Sequence, residues 1–392
     1  MLDRSPYNAM LAVMRKAWTA EGRPMFAHLD LTYRCDLDCQ HCYLDEKHGP
    51  EMTTSEWRET IAQLAEAGVM TLVWSGGEVT LRPDFAELIA YAASLNLFAR
   101  VKTHAGNIDA AWAERLYACK TSQLDVSVYS LRPEIHDELT RRPGSLAATI
   151  AGIRQTLAAR IPVRVVCYVL REAVEEIPEI FRFFAAEGCE VVFSTTTQRD
   201  LSGSNKLDSL ELSRTDMVRA RQLIALAEGT TRGRDLAERA DTVPCQAART
   251  LVYISPDGGV WPCITFPMTL GNLREQTFAQ IWRESEARKS VVAWTNADRT
   301  SCLSCSGSGF CTFCPGDAYK TTGDFRKAPE HFHAEARARM LAYEGATGTT
   351  FTPEQWASVP EDAGRPPEAD TFVFPIHKRQ RSGGARVKTP GR

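Results

Sequence analysis

The chain has 392 residues, 44% of them apolar, and 46 Lys and Arg against 49 Asp and Glu give a net charge of −3. This length can bury one large core and a smaller one, so one to three domains are expected, and the near-balanced charge gives no general argument for nucleic acid or an anionic membrane as partner. No run is long and apolar enough to span a bilayer, and the amino terminus offers only the short apolar patch 9–14, without a signal-peptide pattern. Twelve Cys without an export signal point to a reducing compartment, the cytoplasm, where grouped cysteines serve metals more often than disulfides.

In chain order, residues 1–25 read as a helical or loosely packed lead-in. Residues 26–31, Phe-Ala-His-Leu-Asp-Leu, read as a strand, and it runs into Cys35-Asp36-Leu37-Asp38-Cys39-Gln40-His41-Cys42. Three thiolates at this spacing can hold three irons of a cubane 4Fe–4S cluster and leave the fourth iron open. On this loop alone a zinc site completed by His41 or His48 is the competing reading.

From residue 29 to 197 strand-like and helix-like segments alternate. Thr53, Thr54 and Ser55 before Glu56 give helix-start chemistry, with Trp57, Ile61, Leu64 and Ala65 as the apolar stripe. The run 71–75 is strand-like and ends in Gly76-Gly77-Glu78, after which Pro83 opens a helix bearing Phe85, Leu88, Ile89 and Ala92. Further strands are expected at 98–103, 124–130, 163–170 and 190–195, with helices at 109–118, 146–159 and 176–187. Six such units imply parallel strands and right-handed crossovers, an α/β open partial (β/α)6 TIM-like barrel with its chemistry at the carboxyl ends of the strands. There the Gly76–Gly77 pair permits close backbone approach, and Glu78 can accept a bond from an ammonium group. His136 reads as a solvated histidine near a helix start.

Residues 198–212 read as a polar loop at the barrel mouth, and 213–227 as a bridging helix. Cys245 and Cys263 then flank a β-hairpin with the turn Ser255-Pro256-Asp257-Gly258-Gly259. Cys302, Cys305, Cys311 and Cys314 form two C-x2-C pairs that by themselves suit a zinc ribbon. Cys119, Cys167 and Cys189 read as small core residues. Helical segments follow at 329–343 and 353–358. The Pro- and Gly-rich tail 359–392 ends in a basic, acid-free stretch and reads as disordered. The expected division is lead-in 1–25, barrel 26–212, bridge 213–242, Cys-rich unit 243–330, helices 331–358 and tail 359–392.

The C-x3-C-x2-C loop after a first strand, with His41 before its last Cys and Gly76-Gly77-Glu78 one unit later, resembles the radical S-adenosylmethionine (radical SAM) enzymes. The later Cys pattern resembles the SPASM extension of their peptide- and protein-maturing members. The resemblance implies S-adenosylmethionine chelating the open iron of a 4Fe–4S cluster on Cys35, Cys39 and Cys42. Reductive cleavage then gives a 5′-deoxyadenosyl radical that abstracts hydrogen from substrate. Gly76, Gly77 and Glu78 would hold the methionyl amine, and Ser127 with Arg141, or its neighbour Arg142, the carboxylate, though a backbone-bonded hydroxyl serves Ser127 equally well. A Thr-Asn-Gly common at the third strand's end is Thr103-His104-Ala105-Gly106 here.

By the same resemblance Cys245, Cys263 and Cys314 would hold one auxiliary cluster and Cys302, Cys305 and Cys311 another. Each is one thiolate short; Asp317, Asp324, His331 and His333 follow the run as candidate non-Cys ligands, Asp317 nearest. The implied function is modification of a ribosomally made precursor peptide by oxidation or cross-linking. A separate leader-peptide-binding protein is expected, because no wing precedes the cluster loop, together with a reductant such as flavodoxin or ferredoxin. The alternatives are sulfatase-maturase-like protein modification, small-molecule or modified-haem synthesis, and a non-enzymatic zinc-binding interaction protein.

Overall fold

The computed structural model describes residues 5–44, 47–195, 210, 212–229 and 243–360. A helix α1 (Ser5–Ala20) leads into β1 (Phe26–Asp30), α2 (Thr54–Glu66), β2 (Thr71–Ser75), α3 (Phe85–Ser94), β3 (Phe98–Thr103) and α4 (Ala110–Ala118). Next come β4 (Thr121–Val128), α5 (Pro133–Thr140), α6 (Ser145–Ala158), β5 (Val163–Tyr168), α7 (Ile177–Ala186), β6 (Glu190–Ser194) and α8 (Arg214–Glu228). The carboxyl-terminal part holds β7 (Leu251–Ile254), β8 (Gly259–Trp261), β9 (Gly271–Asn272), α9 (Phe278–Glu284), α10 (Glu286–Ala293) and α11 (Thr300–Leu303). It closes with α12 (Pro315–Thr322), α13 (Glu330–Thr347) and α14 (Pro353–Ala357).

Six parallel strands lie in the order β6-β5-β4-β3-β2-β1, as a partial (β/α)6 barrel requires. The sheet does not stop there. β7 adds in parallel to the free edge of β1, pairing Phe26 with Leu251, and β8 and β9 continue antiparallel. The hairpin between Cys245 and Cys263 is therefore part of the barrel's own sheet, which brings the Cys-rich region to its first strand.

Alternation along the strands sorts the two faces. Leu29, Trp74, Val101, Val126 and Val165 join Trp57, Ile61 and Phe85 in one continuous core under the helices. The opposite face carries His28, Asp30, Arg100, Lys102, Asp125 and Arg164 toward the lumen. Local signals explain where helices begin: Thr53 and Glu56 form a reciprocal capping box on α2, Asp109 caps α4 and Ser213 caps α8.

The structure changes three local expectations. β4 begins at Thr121, earlier than the apolar pattern suggested, and the short helix α5, opened by Pro133, fills the stretch before α6. His136, on α5, is not solvated: it is 1% exposed, its ring lies 5.2 Å from that of Tyr129, and its Nδ1 is 3.1 Å from the Ser145 hydroxyl. The amphipathic turn of α5 faces it inward, and burial, opposed only in part by Asp137, lowers its pKa to about 4. The expected mouth loop falls largely, and the tail almost wholly, outside the described residues. None of the described helices is long and apolar enough to cross a membrane.

Candidate functional site

The loop after β1 gathers Cys35, Cys39 and Cys42 at the carboxyl end of the sheet. All three are free thiols of intermediate exposure. Burial pushes the Cys35 thiol up to about 11 and that of Cys39 to about 12, with Cys42 and Cys35 adding repulsion at Cys39. Such a group stays protonated unless a cation arrives, which is the condition a metal cluster meets. The loop is tied down by charge. Arg142 donates to the Asp36 carboxylate at 2.6 Å and to its carbonyl at 3.0 Å, and Arg141 reaches Asp38 at 2.8 Å. Lys47 also holds Asp38, at 2.7 Å. Gln40 and Asp38 donate backbone N–H groups to the carbonyls of Leu139 and Thr140 at the end of α5.

His41 is buried between two rings, edge-on to Tyr129 at 4.6 Å and stacked on Tyr168 at 5.6 Å. Burial, with His136 nearby, lowers its pKa to about 4.

Gly76-Gly77-Glu78 lies against the same loop. Gly77 N–H donates to Thr32 O at 2.8 Å and Glu78 N–H to Arg34 O at 2.9 Å. Gly76 has φ +131, and a Cβ on Gly77 would stand 2.2 Å from the Arg34 carbonyl oxygen, so both positions need glycine. The Glu78 carboxylate is 1% exposed and accepts from the Thr80 hydroxyl at 2.8 Å, the Thr103 hydroxyl at 2.8 and 2.9 Å and His104 N–H at 3.1 Å. His104 links this nest to the cysteine loop: its Nε2 is 2.9 Å from Asp36 Oδ1 and 3.3 Å from Glu78 Oε2. Nδ1 accepts the Gly106 N–H at 3.0 Å, so the proton lies on Nε2. That bond, opposed by burial, holds the Asp36 pKa down at about 2. A cleft of about 160 Å³ opens here, lined by Asp36, His104, Asn107, Arg142 and Ser145 among others. Ser127 is half-buried on β4, within hydrogen-bonding reach of the Tyr129 hydroxyl.

The six later cysteines fall into two groups. Cys263 and Cys314 both bear on Cys245. The Thr265 hydroxyl sits between the first two, 3.7 Å from Cys263 Sγ and 3.6 Å from Cys314 Sγ. Cys302 instead bears on Cys305 and Cys311, where Arg299 also favours the thiolates. Asp317 stands with the first group: it acts on Cys314, and its carboxylate is 2.7 Å from His331 Nε2. Among the described residues no three cysteine sulfurs lie mutually within 4.8 Å; the one such cluster of possible ligands is Cys35, Asp36 and His104. Three thiolates of one group can sit on three separate irons of a cubane.

Residues 29–202 match the family model of the Radical SAM superfamily, and residues 245–306 match the SPASM iron–sulfur cluster-binding domain. The chain is a radical SAM enzyme with a SPASM extension. Among its relatives, it is 26% identical over 333 residues to the AdoMet-dependent heme synthase of Methanosarcina barkeri, covering 77% of this chain and 94% of that one. It is 28% identical over 288 residues to the PqqA peptide cyclase of Gluconobacter oxydans, covering 68% and 78%. In fold it resembles anSMEcpe with bound AdoMet, at TM-score 0.67 and 15% identity over 83% of this chain and 97% of that one. Streptococcus suis SuiB bound to S-adenosylmethionine gives TM-score 0.60 and 18% identity over 82% and 80%.

The cofactors of this radical SAM enzyme are therefore 4Fe–4S clusters and S-adenosylmethionine. Cys302 and Cys305 lie inside the SPASM match, while Cys311 and Cys314 lie beyond it and are joined to the other cysteines by the fold. Sequence reasoning missed three parts of the site. Asp36 and Asp38, interleaved with the cysteines, answer the Arg141–Arg142 pair, a charge pattern visible in the chain. Thr265 follows Cys263 by two residues but gains meaning only from Cys314. Arg249 clamps the Cys-rich region through the carbonyls of Val291 at 3.1 Å, Val292 at 2.9 Å and Trp294, with no local signature.

Proposed function

We propose that this radical SAM enzyme oxidises or cross-links a ribosomally synthesised peptide held in the barrel lumen. The observation that carries the reading is the pair of separate three-cysteine groups in the SPASM extension, which β7 joins to the first strand of the barrel. Removing a hydrogen atom from a peptide carbon leaves one further electron and proton to be taken before a stable bond forms, and a second redox centre beside the substrate can accept that electron. Names among the relatives, PqqA peptide cyclase above all, support the peptide as substrate. The 94% coverage of the heme synthase supports small-molecule or modified-haem synthesis as the second reading.

When bound, S-adenosylmethionine and its cluster supply a primary carbon radical able to take hydrogen from an unactivated C–H bond. The rest falls to the chain. Cys35, Cys39 and Cys42 would hold the cluster, and the backbone of Gly76 and Gly77 with Glu78 the methionyl ammonium. Thr80, Thr103 and His104 fix the Glu78 carboxylate as an acceptor. Arg141 and Arg142 hold the cysteine loop through Asp38 and Asp36, and Ser127 faces the same end of the lumen. The cysteine groups Cys245, Cys263, Cys314 and Cys302, Cys305, Cys311 would hold the auxiliary clusters. A separate leader-binding protein and a flavodoxin- or ferredoxin-type reductant complete the scheme.

The test is anaerobic turnover with S-adenosylmethionine, reductant and any short precursor peptide found encoded beside the gene. Loss of a pair of hydrogens from the peptide, with matching 5′-deoxyadenosine, is expected. Turnover of a porphyrin or another free small molecule, with none of the peptide, overturns the reading in favour of the second.

A further inference from the structure

Lys102 is a cation that faces the lumen and pairs with none of the described acids. The inner face of the sheet carries polar side chains at one height: Asp30 stands opposite Ser75, Lys102 opposite Asp125, Asp125 opposite Arg164 and Arg164 opposite Glu190. The strand neighbours Leu29, Val101, Val126 and Val165 point the other way, into the core under the helices, so the alternation fixes this row on the lumen side.

Two acids of the row, Asp125 and Glu190, are already paired with arginines. Asp125 accepts from Arg100 at 2.9 Å and from Gln123 at 2.7 Å, with Arg164 at 3.9 Å. Glu190 takes Arg164 at 3.2 Å. Asp30 accepts the hydroxyls of Tyr43 at 2.8 Å and Tyr253 at 2.9 Å, and its other oxygen is 3.3 Å from His28 Nε2. Lys102 has neither a hydrogen bond nor an ion pair with any described residue. The residue is exposed, strand alternation turns it toward the lumen, and Asp125 and Asp30 attract it while Arg100 repels it.

Its position is equally specific. Lys102 precedes Thr103, whose hydroxyl binds Glu78 beside the glycine pair. β7 pairs with β1 and continues into β8, which brings the strand leading to Cys263 into the same sheet. A group bonded to Lys102 is thereby held between the cofactor end of the barrel and the SPASM extension. An ammonium that faces the lumen without an ion pair is available for a charge-assisted bond to an arriving anion. Asp125 and Asp30 lie near Lys102 and disfavour a multiply charged anion, so a single carboxylate is the fitting partner. Both guanidinium groups of the row, on Arg100 and Arg164, are committed to Asp125 and Glu190.

We propose that Lys102 is the substrate-anchoring cation of the lumen, and that the substrate peptide presents an aspartate or glutamate side chain to it beside the carbon that is modified. This rests on the peptide reading given above.

The test is selection from a display library of random 15-residue peptides, each blocked at its carboxyl end so that only side-chain carboxylates can score. The bait is the full-length, cluster-loaded protein with S-adenosylmethionine under anaerobic conditions. The wild type should enrich an acidic residue at one position by about tenfold, the worth of one charge-assisted bond. Lys102→Arg should keep that preference, Lys102→Gln should lose it, and Lys102→Glu should turn it toward Lys or Arg. Iron content equal to wild type shows that each variant is folded and loaded. Acidic enrichment that persists in Lys102→Gln and Lys102→Glu overturns the inference. Enriched peptides without an acidic position overturn it while leaving the peptide reading intact, and no enrichment by the wild type overturns both.

Discussion

The two cysteine regions of this enzyme reach a similar end by different routes. The cysteine loop is local: its three thiols lie within eight residues, and its shape is held by Arg141, Arg142 and Lys47 on the acids between them. The SPASM extension is assembled over distance. Cys245 and Cys263 sit at the ends of a hairpin stitched to β1, and Cys314 joins them from beyond α11, with Thr265 between two of the sulfurs. Arg249, 4% exposed, draws the chain around Trp294 back onto the start of that hairpin. A local site depends on its own spacing, whereas a distributed one depends on the packing that brings its parts together.

That difference can be broken from either side. Cys39→Ala should abolish reductive cleavage of S-adenosylmethionine to 5′-deoxyadenosine, because the loop has no spare thiol, while iron falls by only about four atoms of twelve. Retained cleavage in that variant would contradict the local assignment. Arg249→Met should act in the opposite way. Three buried carbonyls lose a charged donor, a cost of about 3 kcal/mol in denaturant unfolding, and iron should be lost from the SPASM extension before the cysteine loop. Gly77→Ala should cost about 1–3 kcal/mol, since its Cβ would meet the Arg34 carbonyl at 2.2 Å, and should weaken S-adenosylmethionine binding in equilibrium dialysis.

The distribution of legible and hidden features follows the same line. The C-x3-C-x2-C loop, the glycine pair and the six alternating units could be read directly, because spacing and periodicity are properties of the chain itself. Strand limits at β2 and β3 agree with the apolar pattern, while β4 starts earlier because Thr121 and Ser122 pair with Ala99 without an apolar cue. Helix α5 was missed because Pro133 and a run of charges mask a short amphipathic turn, and with it the burial of His136. Thr265, Arg249 and the continuation of the barrel sheet into β7 depend on contacts between residues far apart in sequence. No local pattern encodes them.

The smallest expected effect concerns the seam between the two regions. Arg274, after β9, donates to Glu56 of α2 at 2.7 Å, and that bond, with the Thr53 backbone, holds the Glu56 pKa down at about 2 from an ordinary 4.5. A depressed folded-state pKa stabilises above the unfolded value and is lost as pH falls through the folded one. The contribution should therefore be complete above about pH 4.5 and disappear toward pH 2, and solvent screening keeps it below about 1 kcal/mol. Glu56→Gln should flatten the stability–pH curve of this enzyme in that window, and an unchanged curve would remove the seam from the account.

The central claim is that one cysteine triad near the barrel mouth and two separate triads in the SPASM extension each hold a 4Fe–4S cluster. Iron and zinc analysis of the reconstituted protein, with Mössbauer spectra of the same sample, tests it most directly. About twelve irons per chain in three cubanes, without zinc, is the predicted result. About four irons and one zinc, with Cys302, Cys305, Cys311 and Cys314 closed around a single metal and Cys245 and Cys263 unligated, would contradict it.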